Sequence, residues 1–127
     1  MERKLITPQL AEALNDYPLY SQDGKGKEAM CIAVLSIGNI KWFVLEGQQE
    51  GNDTTLFAIV CGLAETEYGY VSANELESIE LDGARYGFKG KFHVCQDMNF
   101  SPTKLKDIRN DELQEFLNRL YPDTQDK

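Results

Sequence analysis

The sequence predicts an α+β domain, an antiparallel meander of about four to six strands packed with short helices, one of them near the N-terminus and one near the C-terminus. Three observations carry this expectation. Apolar, β-branched runs follow one another from Glu28 to Val71 with short breaks between them, whereas parallel neighbours would need long crossovers. Helical periodicity is confined to segments near the two ends and a short stretch after Ser72. A length of 127 residues, 42% hydrophobic and 27% charged, suits one continuous core, so residues 1–127 are expected to form a single domain.

Thr7-Pro8 supplies an N-cap and a proline at the first helical position, and Leu10, Ala13 and Leu14 recur at helical spacing up to Asn15-Asp16. Tyr17-Pro18 ends that helix, because proline disfavours helix in the residue before it, and Ser21 to Lys27 reads as a polar loop. Glu28 to Ile37 and Ile40 to Glu46 read as strands joined at Gly38-Asn39, a two-residue hairpin turn whose glycine tolerates positive φ. Gly47 to Asp53 reads as a longer, mobile connection, Thr54 to Leu63 as a third strand and Glu67 to Val71 as a fourth. Apolar residues on both faces near Cys31 to Leu35 and Phe57 to Cys61 call for helical cover on more than one side.

Ser72 and Glu75 have capping-box spacing and open a short helix to about Ser78. Leu81 to Val94, with Gly83, Gly87 and Gly90 among aromatics at alternate positions, reads as another hairpin or irregular strand. Ser101-Pro102 starts a helical turn to about Ile108. Asn110, Asp111 and Glu112 open the C-terminal helix, whose Leu113, Phe116, Leu117 and Leu120 fall at i, i+3, i+4 and i+7, and Pro122 stops it; residues 123–127 are expected to fray.

Met1 to Lys4 is not followed by the apolar core of a secretory signal, and the apolar run from Met30 to Leu35 is too short to cross a bilayer, so a cytoplasmic location without membrane contact is expected. The three cysteines, Cys31, Cys61 and Cys95, lie far apart and read as buried thiols in a reducing compartment. A net charge of −8 opposes direct binding to nucleic-acid phosphates. The charge is also unevenly spread, since no Lys or Arg occurs between Trp42 and Ala84. Glu46, Glu65, Glu67, Glu75, Glu77 and Glu80 fall in that stretch and form a candidate acidic surface for a basic protein partner, set against the plainer reading of a solvated face. In its sharper form such a surface imitates nucleic acid, which requires the carboxylates to stand in a row at phosphate spacing.

No catalytic, cofactor or metal signature is present: phosphate-binding glycine patterns, the nucleophile elbow and the metalloprotease helix are all missing. His93, Cys95 and Asp97 share strand spacing, but side chains two apart on a straight strand sit about 6–7 Å from one another, too far for a thiol and imidazole to exchange a proton. Cys31, Cys61, Cys95 and His93 lack the paired spacing of structural zinc ligands. Phe88-Lys89-Gly90-Lys91-Phe92 fits edge lysines that discourage aggregation better than a base-stacking platform. Glu46, Glu67 and Asp97, near strand ends, form an alternative carboxylate site that would suit a small enzyme acting on a nucleotide-like or other polar substrate if they converge.

From about Lys4 to Ile108 the chain resembles the bacterial domain of unknown function 2958 family, which is found with phage, plasmid and other mobile-element genes. The residues that carry the resemblance are Lys4-Leu5-Ile6, Pro18-Leu19-Tyr20, Trp42 to Gly47, Leu56 to Val60 with Gly62-Leu63, Tyr68-Gly69-Tyr70-Val71-Ser72 with Glu75-Leu76-Glu77, and Asp97, Phe100 and Pro102. Val71 stands where an aromatic is more usual, and Cys95-Gln96 where an acidic and a basic residue are. The resemblance implies a small cytoplasmic α+β domain in a mobile-element setting and supplies no catalytic residues. The expected role is therefore that of a non-enzymatic accessory or protein-interaction domain, with no cofactor. Nothing in the sequence sets an oligomeric state.

Overall fold

Thr7 opens the first helix as its side chain permits: Leu10 N–H donates to Thr7 Oγ1 at 3.1 Å, Pro8 takes the first position, and α1 runs Pro8–Leu14. The structure, a computed structural model, describes residues 5–122, so the expected fraying of 123–127 lies outside the described residues. Along the chain follow β1 (Met30–Cys31), β2 (Ala33–Ile37), β3 (Ile40–Glu50), β4 (Asp53–Cys61), β5 (Glu67–Ser72) and α2 (Ala73–Glu77). Then come β6 (Glu80–Asp82), β7 (Lys91–His93), β8 (Cys95–Gln96), β9 (Thr103–Lys104) and α3 (Asp111–Leu120).

The main sheet is antiparallel with the order β5-β4-β3-β2-β8, and two-stranded pairs β1-β9 and β6-β7 stand beside it. The α+β class, the antiparallel meander and the two terminal helices are as the sequence predicts. The β2–β3 hairpin turns at Gly38-Asn39 with Ile37 opposite Ile40 and Gly38 at φ +59°. The hairpin expected in Leu81 to Val94 is β6-β7. In place of a helical turn throughout 101–108, a two-residue strand, β9, precedes a single tight turn at Leu105–Asp107.

The largest departure is at Gly47 to Asp53. In place of a mobile connection, β3 continues to Glu50, β4 begins at Asp53, and only Gly51 (φ +64°) and Asn52 turn the chain. Gln48, Gln49 and Glu50 are exposed and pair across to Thr55, Thr54 and Asp53, so this end of the hairpin lies past the core and its polar composition imitates a loop. Gly47 is not a turn residue. A Cβ there would stand 2.9 Å from Leu14 Cδ1 and 3.0 Å from Leu56 Cδ2, so its glycine lets α1 settle against β3.

Helices cover both sides of the sheet. On one side Leu10 and Leu14 of α1 and Ala73 and Leu76 of α2 pack on Leu35, Trp42, Val44, Leu56, Ala58 and Val60. On the other, Leu113, Phe116 and Leu117 of α3 pack on Cys31, Val34, Phe43, Leu45 and Ile59. Asn110 caps α3, its Oδ1 accepting Leu113 N–H at 2.9 Å. At α2 the Ser72 side chain accepts Glu75 N–H at 3.1 Å, and Ser72 Oγ in turn donates to Asp53, whose other oxygen accepts Asn74 N–H at 3.0 Å. Asp53 therefore shares in the cap that the sequence assigns to Ser72 and Glu75.

Burial pushes the thiol pKa of Cys31 up to about 12 and that of Cys61 up to about 11, whereas Cys95 is exposed, contrary to the reading of all three as buried. Brief treatment of the native protein with iodoacetamide is expected to modify Cys95 and spare Cys31 and Cys61 until denaturant is added. Peptide mass spectrometry reads the outcome, and equal labelling of all three would contradict this packing.

Candidate functional site

Glu46 is the most unusual residue in the fold, a carboxylate with 1% of its surface exposed. Its position follows from a bulge. Val44 pairs with Ala58, but Glu46 rather than Leu45 pairs with Phe57, so one extra residue is inserted between them. Strict alternation would leave Glu46 on the side of Val44, under α1 and α2. The bulge turns it to the side of Phe57, which belongs to the α3 layer.

There it anchors the segment between α1 and β1. Tyr20 N–H donates to Glu46 Oε1 at 2.7 Å and Gln22 N–H to Oε2 at 2.8 Å. Tyr20 holds φ +74°, the one described non-glycine residue with positive φ, at a cost of about 1 kcal/mol that the two charge-assisted bonds offset. Gln22 is itself buried, and its amide bonds the N–H and C=O of Met30 (2.6 and 2.7 Å) and the C=O of Leu45 (2.9 Å). Gly47 N–H donates to Tyr17 C=O at 3.0 Å. Since β2 pairs with β3 only as far as Val44, the stretch from Tyr17 to Gln22 is a strap that occupies the edge of β3 beyond β2.

Aromatic rings continue from the strap across the sheet. Tyr20 and Tyr70 have ring centroids 6.5 Å apart, Tyr70 and Phe57 4.8 Å, and Phe57 stacks on Tyr68 at 5.3 Å with an interplanar angle of 1°. Tyr68 and Tyr121 join their hydroxyls at 2.8 Å. Tyr20 and Tyr70 are 64% and 53% exposed, well above what large aromatics at a sealed surface show. Loss of hydration, the Tyr20 hydroxyl and the negative charges of Glu46 and Asp23 hold the Tyr70 phenol above its ordinary pKa. Between strap and sheet is a hollow of about 170 Å³ walled by Gln22, Asp23, Glu46, Phe57, Tyr68 and Tyr121. Two larger, more open hollows lie elsewhere. One, beside α1, is lined by Glu12, Gly47 and Gln48, and the other, beside α3, by Glu65, Thr66, Glu112, Glu115 and Arg119.

The six carboxylates of the candidate acidic surface do not share one face. Glu46 is inside the protein, not on its surface, because the bulge and strap enclose it. Glu77 accepts the N–H of Leu5 at 2.8 Å, and Glu80 pairs with Lys91 at 3.5 Å. Glu65 stands beside α3, on the opposite side of the sheet from the α2 that carries Glu75 and Glu77. A row at phosphate spacing is therefore not formed. Glu65, Glu67 and Glu75 are exposed and bracket β5, the first two at its start and the third just past its end.

The alternative carboxylate site also separates. Glu67, Val60, Trp42, Leu35 and Gln96 form one row across all five strands, which puts Glu67 and the neighbour of Asp97 about 19 Å apart at the usual strand spacing. Glu46 lies four residues further along β3 and is enclosed. Among the described residues no three His, Cys, Asp or Glu side chains gather to hold a metal ion, and no helix is long and apolar enough to cross a membrane. The Cys95 thiol donates to the backbone oxygen of His93 at 3.5 Å.

Sequence reasoning missed Gln22, Tyr68 and Tyr121 as parts of a site and assigned Glu46 the wrong surroundings. The signal available was indirect: two tyrosine-rich segments, Tyr17 to Tyr20 and Tyr68 to Tyr70, are the ones that meet here.

The two outer strands of the sheet differ in a way that bears on function. β8 has two residues and gives little to bind. β5 has six, Glu-Tyr-Gly-Tyr-Val-Ser, pairs with β4 in an unbroken register, and has no strand on its other side among the described residues. It holds neither lysine nor proline nor a bulge, and of the devices that ordinarily protect an edge it has only the charge of Glu67 at its first position. Comparison of the chain with protein-family models, with curated proteins and with solved structures finds no match.

Proposed function

We propose that this chain is a non-enzymatic protein-interaction domain that takes an extended, basic segment of a partner protein as a further strand along β5. The observation that carries the reading is the contrast between two edges of one sheet: the strap closes that of β3, while β5 offers its backbone groups uncovered over six residues. Charge selects the partner. β5 lies within the stretch from Trp42 to Ala84 that contains no Lys or Arg, and Glu65, Glu67 and Glu75 flank it. Exposed Tyr70 adds an apolar contact for the side chain that would stand opposite it. An accessory role agrees with the mobile-element setting that the family resemblance implies.

Titrating isotope-labelled protein with an alternating lysine-valine peptide of about ten residues, and with its glutamate-valine counterpart, tests this by nuclear magnetic resonance. The lysine peptide is expected to shift the amides of Glu67 to Ser72, slow their hydrogen exchange, and bind at least about tenfold more tightly at low salt. Equal binding of the two peptides, or shifts confined to other surfaces, rejects the reading.

A further inference from the structure

A buried carboxylate is ordinarily accompanied by a positive charge, because removing it from water costs several kcal/mol that hydrogen bonds alone seldom recover. Glu46 has no such companion: among the described residues no Lys, Arg or His pairs with it. Its two hydrogen bonds, from Tyr20 and Gln22 N–H, use about half the acceptor positions of a carboxylate. It also lines the hollow beneath the strap, where Phe57, Tyr68 and Tyr121 contribute rings, Asp23 a second carboxylate, and no lining residue is basic. Ring faces are negative and attract cations most strongly where water is scarce. At about 170 Å³ the space equals several water molecules of about 30 Å³ each, enough for an ammonium or guanidinium head.

We infer that this hollow receives an organic cation, the head of a lysine or arginine side chain from the basic partner, which supplies the counter-charge that Glu46 lacks. The inference rests on the strand-addition reading only for the source of the cation. The hollow is walled in part by Tyr68, a residue of β5 itself, so it borders the strand along which the partner segment would lie.

Titration with tetramethylammonium chloride, followed through the ring proton signals of Phe57, Tyr68 and Tyr121, tests the site at constant ionic strength. Saturable shifts are expected, with tert-butanol, a neutral molecule of similar shape, binding at least about tenfold more weakly. Tyr68→Leu is expected to weaken tetramethylammonium about tenfold and Asp23→Asn about threefold. Asp23 is exposed, so its variant keeps the test valid should Glu46→Gln, expected to weaken binding about tenfold, fail to fold. Equal affinity for tert-butanol, or unchanged affinity in both Tyr68→Leu and Asp23→Asn, overturns the site. The lysine-valine peptide is then added as competitor. Displacement of tetramethylammonium supports a partner side chain as the natural occupant. Tetramethylammonium binding without displacement refutes that source and leaves a free small cation. A peptide that shifts β5 while none of the rings responds to either ligand refutes the cation site and leaves strand addition standing.

Discussion

Replacing Glu46 by alanine is expected to lower the stability of the fold by about 3 kcal/mol, measured as the loss of unfolding free energy in urea. The change removes two charge-assisted hydrogen bonds and leaves Tyr20 and Gln22 N–H without their acceptors. Tyr20 then loses the acceptor that offsets its φ of +74°, and release of the strap exposes the β3 backbone that Gln22 and Tyr17 satisfy. Glu46→Gln should fall between, at about 1–2 kcal/mol, because its amide accepts one N–H and presents its own N–H₂ to the other. Glu67→Ala, at an exposed position, should stay within about 0.5 kcal/mol. A loss below about 1 kcal/mol for Glu46→Ala would mean that water replaces the carboxylate at little cost, and the anchoring role would fall.

Gly62→Ala should destabilise on the order of 3 kcal/mol, and for a reason that local sequence does not contain. Gly62 follows β4 at φ +98°, and a Cβ there would lie 2.2 Å from the carbonyl oxygen of Asn39 in the β2–β3 turn. Its N–H also donates to Glu112 Oε2 at 3.0 Å, so any backbone shift that relieves the clash disturbs the start of α3. Gly51→Ala is the control. Gly51 also has positive φ but nothing within 4 Å of its Cβ position, so alanine should cost about 1 kcal/mol from backbone strain alone. Equal losses at the two positions would show that the close approach to Asn39 carries no energy.

Wherever a structural choice rests on neighbours in the chain, the sequence is a sufficient guide. Thr7, Ser72 and Asn110 cap their helices because a short polar side chain reaches N–H groups three residues ahead, and the Gly38-Asn39 turn forms because its strands must twist together. Leu113, Phe116 and Leu117 of the apolar stripe are buried as their spacing requires, whereas Leu120, its fourth member, stays exposed at the end of α3. Local pattern misled at Gly47 to Glu50, where a polar composition with glycine suggests a loop. The β hydrogen-bond ladder itself does not depend on side-chain polarity, so the hairpin continues beyond the core.

The candidate site was the least legible part. As a residue type Glu46 belongs in water, and no property of its neighbours announces a bulge between Val44 and Glu46 or an acceptor role toward Gln22, 24 residues earlier. Composition and spacing sufficed for the class of fold, the order of most elements and the acidity of the middle of the chain. The burial of one glutamate among aromatic rings, the closing of one sheet edge and the openness of another depend on segments distant in sequence competing for the same backbone groups. Such a competition has its outcome only once the strands are side by side.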